Sequence, residues 1–130
     1  ELVLANKIVK QAKVYILGLT FKENCPDIRN SKVEDIIKRL KEYGIDPLVC
    51  DPWADKTEAK REYGVELVEL SEIKNADCLI FAVGHDQFKK LSLDEIDDYF
   101  NNCTEKIVVD VKSILDKKQM RKFDFKYWNL

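Results

Sequence analysis

The sequence has little glycine and proline and almost no histidine. Its 130 residues include 4 glycines, 3 prolines, 4 cysteines and one histidine, His85. A single histidine and cysteines without a C-x-x-C pair do not form the ligand pattern of a zinc site. Cys50 and Cys78 fall in or beside apolar strand-like runs. This placement predicts buried, reduced thiols and therefore a cytoplasmic protein.

Neither charge sign is in excess, because Lys+Arg total 22 and Asp+Glu total 24. Such a mixture lacks the basic footprint of a protein that binds nucleic acid. The longest apolar runs, such as residues 78–83, are far shorter than the roughly 18 residues that cross a bilayer, so we expect no transmembrane segment. The sequence starts at Glu1, without a signal-peptide pattern, and its only methionine is Met120. We therefore expect it to be a piece of a longer protein.

Apolar runs alternate with helical patterns along the chain. The predicted strands are residues 14–17, 48–50, 67–68, 78–83 and 106–111, and a last one in which Phe123, Phe125 and Tyr127 alternate with polar residues. The predicted helices are residues 32–43 and 55–63, a helical turn at 71–75, a helix starting after Ser92, and a short turn or helix at 116–122. This order predicts an α/β fold, a doubly wound, Rossmann-like parallel sheet between two layers of helices.

Two helix starts and two helix ends carry specific sequence patterns. Ser31 with Glu34, and Ser92 with Glu95, have the spacing of a capping box. Gly44 follows the first of these helices and Gly64 follows the helix at 55–63, and glycine supplies the left-handed residue that ends many helices. These patterns predict the helix boundaries.

The predicted ligand site is the edge where the parallel strands end and the winding direction reverses. Residues 18–30, 84–87 and 111–113 follow three of the predicted strands and should line one crevice there. The first of these connections is longer than the usual 2 to 6 residues. It lacks G-x-G-x-x-G, so we do not expect this domain to bind NAD in the Rossmann manner.

Two cations in the first connection suggest an anion site. Lys22 and Arg29 precede the helix that Ser31 is predicted to start, and helix N-termini attract phosphate. The alternative is that Lys22 is solvated and that Arg29 pairs with Asp27 or Glu34. Composition alone leaves both interpretations open.

Three further polar residues follow strands at the same edge. Asp51 stands where dinucleotide domains place a ribose-binding acid, but without the glycine fingerprint we predict that it caps the turn before Pro52. His85 is a candidate contact to a sugar or a base, or else a structural histidine bonded to a neighbouring carbonyl. Lys112 follows the fifth strand and is either a third cation of the crevice or an ordinary surface lysine.

Several motifs occur together and in order. Residues 18–22 read G-x-x-F-K, residues 27–31 read D-x-R-x-S, Asp51-Pro52-Trp53 follows the second strand, and residues 109–112 read V-D-V-K. With these motifs the chain resembles, from about Lys13 onward, the C-terminal domain of the UDP-glucose/GDP-mannose dehydrogenase family. Residues 22–30 are most similar to the branch that oxidises UDP-N-acetylhexosamines for surface polysaccharides.

The resemblance implies an NAD-dependent oxidoreductase with an upstream NAD domain and a central helix that forms a homodimer. Residues 1–12 would be the end of the link to that helix, and residues 13–130 the UDP-sugar-binding domain. Members of the family oxidise the C6 alcohol of the sugar to a carboxylate in two steps, through a thiohemiacetal and a thioester on a cysteine. The implied partners are the UDP-sugar and the chain's own upstream domains, without nucleic acid or membrane.

The resemblance also implies roles for individual residues. Phe21 and Lys22 would contact the substrate, and Arg29 would reach NAD held by the upstream domain. Lys112 takes the place of a substrate-binding arginine, which replaces a planar fork by a point charge. None of the four cysteines has the glycine-rich surroundings of the family's nucleophile. We therefore expect the isolated chain to bind substrate without turning it over.

Two other functions are alternatives to this interpretation. The first is a phosphoacceptor receiver domain, for which Lys112 would fit, but which needs metal-binding acids where this chain has Gly18, Leu19 and Thr20. The second is a freestanding nucleotide-binding or assembly module that never joins an NAD domain.

Overall fold

The structure is a computed structural model, and it describes residues 12–20, 24, 32–100 and 106–129. Strands and helices alternate along these residues. The strands are β1 (Val14–Leu17), β2 (Leu48–Cys50), β3 (Glu66–Leu67), β4 (Cys78–Phe81), β5 (Lys106–Asp110) and β6 (Phe125–Asn129). The helices are α1 (Val33–Glu42), α2 (Lys56–Tyr63), α3 (Asp86–Lys89), α4 (Leu93–Asp98) and α5 (Lys117–Lys122), with a 3-10 turn at Leu70–Glu72.

The strands form one parallel sheet in the order β3-β2-β1-β4-β5-β6. The winding direction reverses between β1 and β4, so the predicted doubly wound fold is confirmed. Receiver domains have the strand order 2-1-3-4-5. The sheet order therefore does not favour the receiver alternative.

Successive side chains of the strands enter two separate hydrophobic cores, as the pleat of a strand requires. Val14 and Ile16 of β1 pack on the face covered by α1 and α2. Tyr15 and Leu17 pack on the opposite face, with Phe88 of α3 and other residues of α4 and α5. Because β1 is buried on both faces, it reads as a continuous apolar run in the sequence.

The predicted helix signals are found where the structure describes them. Gly44 and Gly64 follow α1 and α2 with φ values of 80° and 65°, in the left-handed region that favours glycine. Ser92 and Glu95 form the predicted capping box at the start of α4. Ser31 lies outside the described residues, and α1 begins at Val33.

Several element boundaries differ from prediction, and one helix was not predicted. The last strand begins at Phe125, and Phe123 instead ends α5 with 40% of its surface exposed, because Asp124 turns the chain at a φ of 62°. The helix α3 was not predicted, since four residues are too few to show a helical period. The predicted turn at 71–75 forms slightly earlier, at Leu70–Glu72. Residues 1–12, interpreted above as the end of the link to the upstream helix, lie outside the described residues except for residue 12.

Cys50 and Cys78 are buried thiols that form no disulfide, as predicted. Burial raises the pKa of the Cys50 thiol to about 12, and the neighbouring Asp51 adds to the increase. Cys25 and Cys103 lie outside the described residues. None of the helices that the structure describes has the length and apolar character needed to cross a membrane.

Candidate functional site

The first connection touches the end of β4 at the switch point. Gly18 has a φ of 113°, and a Cβ atom added there would lie 2.6 Å from the Cβ atom of Val83. Only glycine fits this approach and this conformation. Gly18 therefore lets the segment after β1 lie directly against the segment after β4.

Asp51, the residue after β2, is a buried carboxylate that joins two connections. Its Oδ2 accepts hydrogen bonds from the amides of Leu19 and Thr20, at 2.7 and 3.0 Å. Its Oδ1 accepts from the amide of Trp53 at 2.8 Å, which is the turn-capping role predicted from the sequence. The bonds to Leu19 and Thr20 were not predicted, since they depend on β1 and β2 lying side by side.

His85, between β4 and α3, is fully buried and uses both ring nitrogens. Its Nδ1 accepts a hydrogen bond from the Asn24 amide at 2.8 Å. Its Nε2 lies 3.0 Å from Asp51 Oδ2 and 3.0 Å from Thr20 Oγ1. Because an accepting Nδ1 carries no proton, we assign a neutral ring whose proton is on Nε2. The ring thus has a structural role, with a carboxylate and an amide as partners instead of a carbonyl. Contact between His85 and substrate stays a prediction.

The arrangement of Thr20, His85 and Asp51 is not that of a catalytic triad. In a triad the imidazole uses one nitrogen for the nucleophile and the other for the carboxylate. Here Thr20 and Asp51 both meet Nε2, while Nδ1 is occupied by the Asn24 amide. The cluster therefore joins three segments of the chain without activating a nucleophile.

Asn24 completes this cluster, and the sequence interpretation missed it. It has a φ of 55°, a conformation that asparagine tolerates better than most residues. Its side-chain Oδ1 accepts from the amide of Asp86 at 3.2 Å, while its own amide donates to His85. An asparagine in a long loop was the only available signal, and it does not identify the partner.

Opposing effects act on the Asp51 carboxyl. Burial raises its pKa, but the hydrogen bonds from His85 and from the amides of Leu19 and Thr20 lower it by more. The net result is a pKa below the usual value of an aspartate. Asp51 is therefore a buried anion at neutral pH.

These contacts also test whether the domain fits a dinucleotide. Asp51 has the position of a ribose-binding acid, yet it is only 6% exposed and accepts from Leu19, Thr20 and Trp53. No glycine other than Gly18 lies between β1 and α1. The residues present do not fit NAD bound in the Rossmann manner.

A second buried carboxylate, Asp110, ends β5. Its Oδ1 accepts from the amide of Ile114 at 3.1 Å, and its Oδ2 accepts from the amide of Leu115 at 2.8 Å and from the hydroxyl of Tyr127 at 2.6 Å. Burial raises the pKa of that hydroxyl, and the bond to Asp110 raises it further. These contacts fix the turn that carries Lys112.

The structure describes some of the predicted site residues and not others. Lys112 is exposed and follows β5 by two residues, at the carboxyl edge of the sheet, as predicted. Phe21, Lys22 and Arg29 lie outside the described residues, so their roles stay predictions. In sequence, Phe21 and Lys22 stand between Thr20 and Asn24, both of which the buried cluster holds.

Comparison with known families gives one match that covers most of the chain. Residues 15–117 match the UDP-glucose/GDP-mannose dehydrogenase family, UDP binding domain. This range contains the complete cluster of Thr20, Asn24, Asp51 and His85, together with Lys112.

Two curated relatives and one solved structure illustrate the similarity. Protein CapL of Staphylococcus aureus is 43% identical over 120 residues, which are 92% of this chain and 28% of the relative. The UDP-N-acetyl-D-glucosamine 6-dehydrogenase of Salmonella typhi is 41% identical over 113 residues, 85% of this chain and 26% of the relative. The chain thus spans about a quarter of the length of the curated relatives it matches.

The solved structure shares the fold. The NDP-N-acetyl-D-galactosaminuronic acid dehydrogenase from Methanosarcina mazei superposes with a TM-score of 0.85 at 22% identity, covering 98% of this chain and 26% of that one.

Proposed function

Since the chain belongs to the UDP-glucose/GDP-mannose dehydrogenase family and carries its UDP-binding domain, we propose that it binds the UDP part of a nucleotide sugar. It does so as part of a longer dehydrogenase that oxidises the C6 alcohol of a UDP-N-acetylhexosamine to a uronic acid for polysaccharide biosynthesis. The substrate class is supported by relatives named as UDP-N-acetyl-D-glucosamine and UDP-N-acetyl-D-mannosamine dehydrogenases.

In this proposal, the binding of the UDP-sugar and the binding of NAD belong to different domains of the longer protein. Residues 13–130 form the binding domain, and residues 1–12 are the end of the link to the upstream domains. NAD is held mainly by the upstream domain, with Arg29 reaching toward it, because the residues around Asp51 do not fit a dinucleotide. The longer protein is a cytoplasmic homodimer, and the isolated chain binds without catalysis.

The observation that carries the proposal is the family match across the switch-point edge, where Phe21 and Lys22 stand between two fixed points. The diphosphate is an anion, and Lys22 and Lys112 supply positive charge at that edge. The relatives are about four times as long as this chain, which does not favour the freestanding module.

Calorimetry with UDP, UMP and NAD tests the proposal directly. We expect UDP to bind more tightly than UMP, because the second phosphate adds charge-assisted contacts, and NAD to show no binding. Tighter binding of NAD than of UDP would contradict the proposed function.

Substitution of Lys22 tests the anion site. If its ammonium group makes a charged hydrogen bond to the diphosphate, Lys22→Ala weakens UDP binding by about 1.5 to 3 kcal/mol. Lys60→Ala, at an exposed position of α2, is the matched control and should leave UDP affinity unchanged. Equal affinities of all three proteins would show that Lys22 is solvated, the alternative left open by composition.

A further inference from the structure

An apolar groove lies between the helices α4 and α5, on the outer side of the hydrophobic core that these helices cover. Four partly buried side chains that pack on this core line the groove: Leu91, Leu93, Ile114 and Leu115. The groove has a volume of about 630 Å³, and Phe123, at the end of α5, also lines it. We call this feature the Phe123 groove.

Phe123 is exposed while its apolar neighbours in the chain are buried. Met120 is fully buried and Phe125 is 4% exposed, whereas Phe123 is 40% exposed, because Asp124 turns the chain between the two phenylalanines at a φ of 62°. Unlike an exposed tyrosine or tryptophan, a phenylalanine has no polar group that can bond to water. Phe123 and the side chains of the groove form one apolar patch, and such patches mark interaction surfaces.

The two helices beside the groove carry opposite charges. Every charged residue of α4 is acidic, namely Asp94, Glu95, Asp97 and Asp98. Every charged residue of α5 is basic, namely Lys117, Lys118, Arg121 and Lys122. Among the described residues, the only one of these charges in an ion pair is that of Asp97, which pairs with Lys106. The charges of α4 and α5 therefore do not pair with each other within one chain.

We propose that the Phe123 groove is the interface at which two copies of this chain pair about a two-fold axis. In such a pair the same patch of both copies meets, so α5 of each copy lies against α4 of the other. The acidic and the basic helix then face each other twice, and each Phe123 enters the groove of the other copy. This contact requires neither the nucleotide sugar nor the upstream domains.

The size of the surface predicts a weak pair. Both helices have six residues and are therefore about 9 Å long. A patch of this size belongs to the class of small, transient interfaces. Because its charges are exposed to solvent, salt should weaken the pairing further.

Sedimentation equilibrium of the 130-residue chain tests the pairing. Between micromolar and millimolar concentration, the average mass should rise from that of one chain toward that of two, and high salt should reduce this rise. Phe123→Ser should weaken the association about tenfold or more, because it removes the apolar anchor of the interface.

Tyr43→Ser is the matched control. It removes another aromatic side chain, 56% exposed at the end of α1, and should associate like the wild type. A wild type that remains a single chain at every concentration would overturn the inference and leave the groove to another occupant, such as an upstream domain. Association of Phe123→Ser equal to that of the wild type would also overturn it.

Exchange of charges tests which surfaces meet. One variant combines Lys118→Glu with Lys122→Glu on α5, and the other combines Asp94→Lys with Asp98→Lys on α4, all at exposed positions. Each variant cancels the net charge of one helix, so each alone should associate about fivefold or more weakly than the wild type. A mixture should form a mixed pair, because one contact then keeps both natural helices and the other joins the exchanged residues with opposite charges.

The mixed pair is measured by sedimentation velocity with one variant carrying a fluorescent label. Lys60→Glu with Arg61→Glu, on α2, adds the same negative charge outside the groove and should leave association unchanged. Equal weakening by this control would assign the effect to net charge and overturn the pairing of α4 with α5. A mixture that associates no better than either variant alone would overturn it as well.

Discussion

Asp51 and Asp110 are both buried carboxylates at the carboxyl ends of strands, yet they join different parts of the chain. Asp110 accepts from Ile114 and Leu115, four and five residues further on, and from Tyr127 on the adjacent strand β6. Its contacts stay within one half of the sheet, the half formed by β4 to β6. Burial of a carboxylate is therefore a poor guide to function when all its donors come from its own half of the sheet.

Asp51 joins the two halves of the sheet, β1 to β3 and β4 to β6. Its donors come from the connection after β1, from the turn after β2 and from His85 after β4. The strands β1 and β4 form the pair at which the sheet changes direction. A carboxylate that gathers segments at the switch point can control the geometry of a ligand site, whereas Asp110 fixes a local turn.

The largest expected effect comes from removing the carboxylate of Asp51. In Asp51→Ala the amides of Leu19, Thr20 and Trp53 and the Nε2–H of His85 lose their acceptor while buried or partly buried. We expect the free energy of unfolding to fall by about 3 to 5 kcal/mol and UDP binding to be lost. Urea denaturation and calorimetry measure the two effects, with Asp51→Asn as the variant that keeps the shape. Retained UDP affinity in either folded variant would remove the distinction between the two carboxylates.

The pH dependence of the free energy of unfolding also tests the role of Asp51. The pKa of Asp51 is lower in the folded protein than its ordinary value of 3.8, so its contribution is complete above that value and is lost as the pH falls through the folded pKa. Asp51→Asn should therefore flatten the acid side of the stability profile, measured by urea midpoints from pH 7 to pH 3.

A smaller effect is expected at the second carboxylate. Tyr127→Phe removes one hydroxyl donor from Asp110 and leaves the bonds to Ile114 and Leu115, so we expect a loss of about 1 to 1.5 kcal/mol at pH 7. UDP affinity should be unchanged, because the turn that carries Lys112 keeps its backbone bonds to Asp110. A marked loss of UDP binding would show that this half also controls the site.

Tyr127→Phe has an alkaline test as well. Because the folded pKa of Tyr127 lies above its ordinary value of 10.0, its contribution is complete below that value and is lost as the pH rises toward the folded pKa. Above about pH 10 the wild type should therefore lose a stabilising contribution that the phenylalanine variant never had. Parallel alkaline profiles of the two proteins would contradict this assignment.

The smallest expected effect is that of Asn24→Gly. Asn24→Gly keeps the left-handed conformation and loses only the acceptor for the Asp86 amide, an exposed bond worth about 0.5 to 1 kcal/mol. Asn24→Ala should cost about 1 kcal/mol more, because a Cβ disfavours a φ of 55°. Equal stabilities of the two variants would show that backbone conformation does not matter at this position.

The sheet could be predicted from the sequence because its central strands are buried on both faces and so form continuous apolar runs. The capping box at Ser92 and the glycines after α1 and α2 set helix boundaries through local chemistry. The helix α3 was missed because it is too short to show a period, and Phe123 was misplaced because its spacing to Phe125 imitates a strand.

The site was predictable only in part. The position of the site at the carboxyl edge of the sheet followed from the topology. The turn-capping role of Asp51 followed from the proline after it. The bond from Asn24 to His85 spans 61 residues, so no local pattern encodes it. Such a contact exists only because β1 and β4, distant in sequence, are neighbours in the sheet.

The strand order has a consequence for how the chain folds. Strands β1 to β3 pair with their sequence neighbours, as do β4 to β6, whereas β1 and β4 pair across two whole crossover units. Closing the longer loop costs more entropy, so we expect the two halves to form early and to dock with each other late. The buried cluster takes Thr20, Asn24 and Asp51 from the first half and His85 from the second. Its assembly therefore coincides with docking, and refolding molecules should gain nucleotide affinity only in the slowest kinetic phase.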